Sequence, residues 1–222
     1  MSKIVVFGPS GMTGHHVLRE ALHRGHQVTA VTGDASRAAP SPDRPANRLT
    51  IAAGDVTNPE SVATLSLGAD IVVNAVAPPR EPGADPEDAL VAAANGLIDG
   101  LRPLGEDAPM LIVVGDAGSL EVSPGVRLVD TPGFPDLHRA ESLAQATAPE
   151  HYRAVVDLAW TVLSPAAVIT LGERTGVFRL GDDELVTDAD GNSAISAKDL
   201  AVAVLDEAES PSHLGRRFTL AY

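Results

Sequence analysis

Short apolar runs rich in β-branched residues alternate along the chain with stretches whose hydrophobic positions recur at helical spacing. Lys3–Phe7, Gln27–Thr32, Leu49–Ala53, Asp70–Ala75, Met110–Val114 and Trp160–Ser164 read as strands. The Ile71-Val72-Val73 centre of the fourth is apolar without alternation, as a strand buried on both faces would be. Val17, Leu18, Ala21 and Leu22 mark a helix after the first strand, capped near Gly25. Asn58-Pro59-Glu60 opens the next helix with a capping residue and a proline in its first turn. Glu87–Leu101, Arg139–Ala148 and Pro149–Ala159 follow as helices, separated by irregular segments at Val76–Pro86 and Glu121–Pro135. Strand–helix alternation of this kind implies right-handed crossovers and an open, doubly wound parallel α/β sheet. Ligands of such a sheet lie across the carboxyl ends of its strands, where the strand order reverses.

Beyond Ser164 the alternation lapses. Gly176–Leu180 and Glu184–Thr187 read as short strands with a turn at Asp188–Asn192. Ser196-Ala197-Lys198-Asp199 starts a last helix with capping-box spacing, and Arg217–Ala221 is a final strand. Residues 1–222 are therefore expected to form one domain, with 165–222 contributing a small lobe on the substrate side.

The first strand ends in Gly8-Pro9-Ser10-Gly11-Met12-Thr13-Gly14, three glycines at G-x-x-G-x-x-G spacing, and a helix begins at once. Strand, glycine turn and helix in that order favour a bound diphosphate. Gly8 permits a tight turn, Gly11 permits close approach of backbone amides, and Gly14 permits close packing of the helix. Ser10 and Thr13 add hydroxyl donors. Later strand ends supply the rest of a dinucleotide site. Gly33, Asp34 and Arg37 follow the second strand, where an acid would meet the ribose of NAD and an arginine the 2′-phosphate of NADP. Both nucleotides stay open on this reading, with NADP slightly favoured. Asp55 and Val56 would flank the adenine, Ala75, Val76 and Ala77 offer small residues where the dinucleotide passes the backbone, and Pro165 would border the nicotinamide.

A net charge of −14 argues against a nucleic-acid backbone or an anionic membrane as partner. The absence of cysteine excludes disulfides and thiolate chemistry. His15, His16, His23 and His26 cluster without an acid at metal spacing and read as surface residues, so no metal site is expected. The chain enters its first strand without a charged and apolar leader, and a cytoplasmic location is the expectation.

Gly8–Gly14, Asp55-Val56-Thr57, Val113–Leu120, Trp160–Pro165, Gly172–Gly176, Ile195–Ala201 and Arg217-Phe218-Thr219 together resemble the NAD(P)H-binding atypical short-chain dehydrogenase/reductases of the NADH-flavin reductase group, relatives of NmrA-like and biliverdin/flavin reductase-like proteins. The resemblance runs from end to end. It implies a Rossmann fold, bound NAD or NADP, and hydride transfer to a flavin, quinone or similar conjugated small molecule. One departure bears on mechanism. The Tyr-x-x-x-Lys pair of most short-chain dehydrogenases is missing, because Val156 stands four positions after Tyr152. Alcohol and ketone chemistry by that route is disfavoured. A conjugated ring that accepts hydride leaves an anion that solvent can protonate. If a side chain donates that proton, Ser119, His138 and Tyr152 are the candidates. The alternative implied by the NmrA-like resemblance is a dinucleotide sensor without turnover. Glu173 and Arg174 would shape the pocket or pair with each other.

Overall fold

A computed structural model of the chain describes residues 1–33, 47–78 and 83–222. Its centre is β1 (Lys3–Phe7), paired in parallel with β2 (Gln27–Thr32) on one side and β4 (Ile71–Asn74) on the other. Val6 thus lies between Ala30 and Val73. β3 (Leu49–Ala53) extends the sheet beyond β2, while β5 (Met110–Val114) and β8 (Trp160–Ser164) extend it beyond β4. The chain steps from β3 back across β1 to β4, so the strand order reverses between β1 and β4. These parallel strands and the helices between them make the expected doubly wound α/β architecture.

Side-chain alternation divides the core into two layers. Ile4 and Val6 face α1 (Met12–His23) and α6 (Ala197–Glu209), packing with Val17, Leu18, Leu200 and Val204. Val5 and Phe7 face α2 (Pro59–Ser66) and α3 (Pro86–Leu101), packing with Val62, Leu97 and Leu101. Each such leucine or isoleucine, withdrawn from water, contributes about 2 kcal/mol. α2 is capped by Asn58, whose side chain accepts from the Glu60 and Ser61 amides, and α3 by Asp85, which accepts from Glu87. The third helix therefore begins at Pro86, one residue before the sequence pattern suggests.

The second half departs further from expectation. Residues 121–135, which lack periodicity, form a hairpin of β6 (Glu121–Ser123) and β7 (Val126–Arg127) followed by a single 3-10 turn over Leu128–Asp130. α4 (Asp136–Ala146) starts three residues early, and α5 (Ala148–Arg153) stops well short of Ala159. It stops because the Val155 amide turns back to the Tyr152 carbonyl, and the Trp160 indole, 2.9 Å from the Val155 carbonyl, pins that turn beneath the sheet.

β9 (Val168–Thr170) pairs in parallel with β11 (Ala194–Ser196) in a small separate sheet that sequence reading missed. β10 (Arg179–Gly181) and β12 (Arg216–Ala221) join the central sheet instead, β12 parallel to β8 and β10 antiparallel at the edge. Residues 184–187 are joined to Glu121 by a bridge at Glu184 and to Arg179, which donates to the Thr187 carbonyl at 2.8 Å. The Ser196 hydroxyl caps α6 as expected, accepting from the Asp199 amide at 2.9 Å. Asp199 does not reach back in return. Its fully buried carboxylate accepts from the Thr175 and Gly176 amides and from the Thr175 and Tyr222 hydroxyls, tying the 172–177 loop and the final residue to α6.

Candidate active site

The turn after β1 is held by contacts that only glycine allows. Gly8 has a φ of +78°, and a Cβ there would lie 2.6 Å from the Ala75 carbonyl. A Cβ on Gly14 would lie 2.1 Å from the Gly8 carbonyl, so this glycine lets the helix close on its own turn rather than on the sheet. α1 consequently begins directly behind the β1–β4 reversal, with Gly11 as its N-cap. It has no side-chain cap and no acid in its first turn. The amides at this tip could hold an anion, supported by the helix dipole.

Two clefts open on either side of this tip and share Val76. The first, about 630 Å³, is lined by Gly8, Pro9, Ser10, Gly33, Asp55, Val56 and neighbouring residues at the ends of β1, β2 and β3. The Asp55 carboxylate stays exposed at its edge while accepting from the Thr57 amide and hydroxyl at 2.8 and 2.7 Å, so it both closes its own turn and faces the cleft. Asp34 and Arg37 lie outside the described residues.

The second cleft, about 660 Å³, runs from Gly11, Met12 and Thr13 over Ala75, Val76 and Ala77 to Asp116, Pro165 and α4. Its far wall is assembled by backbone bonds from the 116–120 loop: the Val129 amide donates to Gly118 and the Leu128 amide to Leu120, at 3.0 and 2.8 Å. Arg139 on α4 donates to the carbonyls of Val129 and Phe134, with its guanidinium 5.6 Å from the Phe134 ring centre. Leu128, Phe134 and Pro135 are thereby set over the cleft.

The structure separates the three candidate proton donors. His138 lines the second cleft from α4 and is exposed. Ser119 is not among the lining residues; its hydroxyl accepts from Arg217 at 2.7 Å, and Arg217 in turn pairs with Asp183. Tyr152 is buried in the layer between the sheet and α3, its ring centre 5.9 Å from that of Trp160, and burial pushes its phenol well above the ordinary range. Glu173 and Arg174 do not pair with each other: Glu173 meets Lys198, and Arg174 reaches Glu20 on α1 at 2.7 Å. His26 departs from the surface reading, because it is buried and bonded to the Ser2 amide and Glu209.

Sequence reasoning passed over three residues that the second cleft brings together, Asp116, Glu141 and Ser142. Asp116 stands two residues past the end of β5, and that position at a strand's carboxyl end was the available signal. Ser142 donates to Asp116 at 3.2 Å, and the Gly118 amide binds the other carboxylate oxygen. Burial raises the Asp116 carboxyl above the usual range despite these bonds.

The residues present fit a dinucleotide. An uncapped helix tip lies at the strand reversal, a cleft extends to each side of it, and Ala75, Val76 and Ala77 line the wall beside it. Among the described residues no helix is long and apolar enough to cross a membrane.

Comparison with known proteins agrees with this geometry. A family model described as NAD(P)H-binding matches residues 8–211. Similar solved structures include a "putative exported protein" from Burkholderia pseudomallei, 42% identical over 100% of both chains with a TM-score of 0.85. A "putative epimerase" from Bacteroides thetaiotaomicron is 34% identical over 100% of this chain and 97% of that one, with a TM-score of 0.88. A "putative NADH-flavin reductase" from Streptococcus pneumoniae is 29% identical over 100% of this chain and 99% of that one, with a TM-score of 0.79. The first of these names differs from the cytoplasmic expectation. With strand order, helix tip and paired clefts in agreement with the sequence match, the chain belongs to the NAD(P)H-binding family of Rossmann-fold proteins.

Proposed function

We propose that the protein is an NAD(P)H-dependent reductase that delivers hydride to a flavin, quinone or similar conjugated small molecule. The observation that carries this reading is the pair of clefts flanking the helix tip, which share Val76 as a wall, the second of them partly apolar and reaching Pro165 and α4. The amides of Met12 and Thr13 and the Thr13 hydroxyl would bind the diphosphate; Ser10, Gly33, Asp55 and Val56 would border the adenosine; Ala77 and Pro165 would border the nicotinamide. When bound, the dinucleotide supplies the hydride.

The chain's own part is to orient two flat rings against each other and to exclude water between them. Leu128, Phe134, Ala166 and Ile169 give the second cleft the apolar surface that a conjugated ring would stack on. An epimerase reading of this fold asks for a residue that takes the proton of a substrate hydroxyl as hydride leaves the same carbon, and returns it when hydride comes back. The Tyr-x-x-x-Lys pair is absent, and the one tyrosine near that position is buried beneath the sheet.

The test follows NADPH and NADH absorbance with FMN, riboflavin and a quinone as acceptors. Oxidation that depends on acceptor supports the reading, with NADPH expected to be somewhat preferred. Tight nucleotide binding with no oxidation across a broad acceptor panel would replace it with a sensor that binds without turnover.

A further inference from the structure

The acceptor end of the second cleft contains a half-buried acid that the reading above leaves unused. Asp116 lines the cleft beside Ala117, Gly118, His138, Glu141 and Ser142. Its carboxyl is fixed from two sides, with the Gly118 amide donating to Oδ1 and the Ser142 hydroxyl 3.2 Å from Oδ2. A Cβ on Gly118 would fall 2.6 Å from Oδ1 and 2.8 Å from the Ser142 Cβ, so the loop closes on the acid as tightly as a glycine permits.

We infer that Asp116 is the proton donor of the reduction, an inference that rests on the reductase reading. Hydride from a dihydronicotinamide adds to the conjugated acceptor, and the oxygen or ring nitrogen that becomes anionic takes the carboxyl hydrogen of Asp116. The acid's O–H bond breaks and a new O–H or N–H bond forms on the acceptor. The nicotinamide is oxidised by two electrons, the acceptor is reduced by two, and the Asp116 carboxylate recovers its proton from water at the cleft mouth.

The surroundings shift the carboxyl toward its protonated form. Burial raises the Asp116 carboxyl, and the nearby charge of Glu141 acts in the same direction, against the hydrogen bonds from Gly118 and Ser142. His138 faces the same cleft from α4, while the Gly11–Thr13 turn and the Pro165–Ala167 segment bring no charge. Arg217 is held by Ser119 and Asp183. Ser119, His138 and Tyr152 compete poorly for the role: one is bound to Arg217, one is exposed to solvent, and one lies beneath the sheet.

The experiment compares wild type with Asp116→Asn in pH profiles of quinone reduction by NADPH, in nucleotide affinity by calorimetry, and in thermal stability against pH. Wild-type kcat should fall as pH rises through the Asp116 value. The variant should lose about 100-fold in kcat, give a flat profile and bind NADPH within twofold of wild type. Stability supplies a readout independent of turnover. A carboxyl raised in the fold favours the folded state below its unfolded value, about 3.8, and that advantage is lost as pH rises through the folded value. The variant should therefore gain stability relative to wild type at neutral pH, with the gain disappearing below about pH 4. Ser142→Ala, which removes a bond that lowers the acid, should move the wild-type kinetic limb to higher pH. An Asp116→Asn enzyme with kcat within threefold of wild type and the same pH profile overturns the assignment while leaving the reductase standing. A wild-type protein that binds NADPH and reduces no acceptor overturns both.

Discussion

Replacing Gly11 with alanine separates a glycine kept for the ligand from one kept for the fold. Gly11 is the N-cap of α1, at φ −70° and ψ 162°, a conformation alanine adopts without strain. Its added Cβ would lie 3.7 Å from the Gly8 carbonyl oxygen and 3.9 Å from that of Ala75, both ordinary contacts. Alanine is a poorer N-cap than glycine by roughly 0.5–1 kcal/mol, while the loss of unfolded-state freedom returns about 0.4–1 kcal/mol. The two nearly cancel, and Tm should move by no more than about 2 °C.

Gly11 lines the second cleft together with Met12 and Thr13, so the added methyl is expected to crowd a diphosphate bound at their amides. Holding a diphosphate away from one charge-assisted bond costs about 1.5–3 kcal/mol, or roughly 10- to 100-fold in Kd for NADPH and NADH alike. Calorimetry for affinity and differential scanning calorimetry for stability read the two effects separately. Gly14→Ala is the control, because its Cβ would lie 2.1 Å from a backbone oxygen that cannot rotate aside, and stability should fall by roughly 1–3 kcal/mol. Gly11→Ala protein that is folded as wild type and binds both nucleotides with wild-type affinity would refute the placement of the diphosphate at this helix tip.

Other outcomes follow from the same contacts. Tyr152→Phe and Ser119→Ala should each leave kcat within about twofold, since neither hydroxyl lines the cleft; a loss of 100-fold in either would reopen its candidacy. Asp199→Ala leaves four donors without their shared acceptor and should cost roughly 3 kcal/mol, seen as a Tm lower by about 6–12 °C. Burial alone would raise Glu20, but bonds from Arg174 and Arg24 hold it below the ordinary carboxylate range. Its contribution is thus present above about pH 4.5 and lost as pH falls through the folded value, so wild-type Tm should decline in acid and Glu20→Gln should decline less.

The central sheet was legible because its strands are short, β-branched and bounded by turn residues. Trp160–Ser164 and Met110–Val114 begin and end where their apolar runs do. The glycine turn was legible for the same local reason, and its flanking strand and helix make the motif informative. Three-residue strands such as β9 and β11 carry too little alternation to be read; their pairing depends on residues more than twenty positions apart. Residues 154–159 have helical spacing yet leave the helix, because Trp160 holds the Val155 carbonyl beneath the sheet. The site divides along similar lines. Positions next to strand ends could be named in advance, whereas Glu141 and Ser142 reach the cleft through the tertiary docking of α4, to which the Arg139 bonds to Val129 and Phe134 contribute. Arg174 and Glu20, separated by 154 positions, could not have been paired from the sequence.

A crystal structure of the protein soaked with NADPH tests the central claim most directly. The account predicts a diphosphate within hydrogen-bond reach of the Met12 and Thr13 amides, adenosine toward Asp55, and a nicotinamide between Ala77 and Pro165. An ordered nucleotide elsewhere on the molecule, with the α1 tip bare, would contradict it.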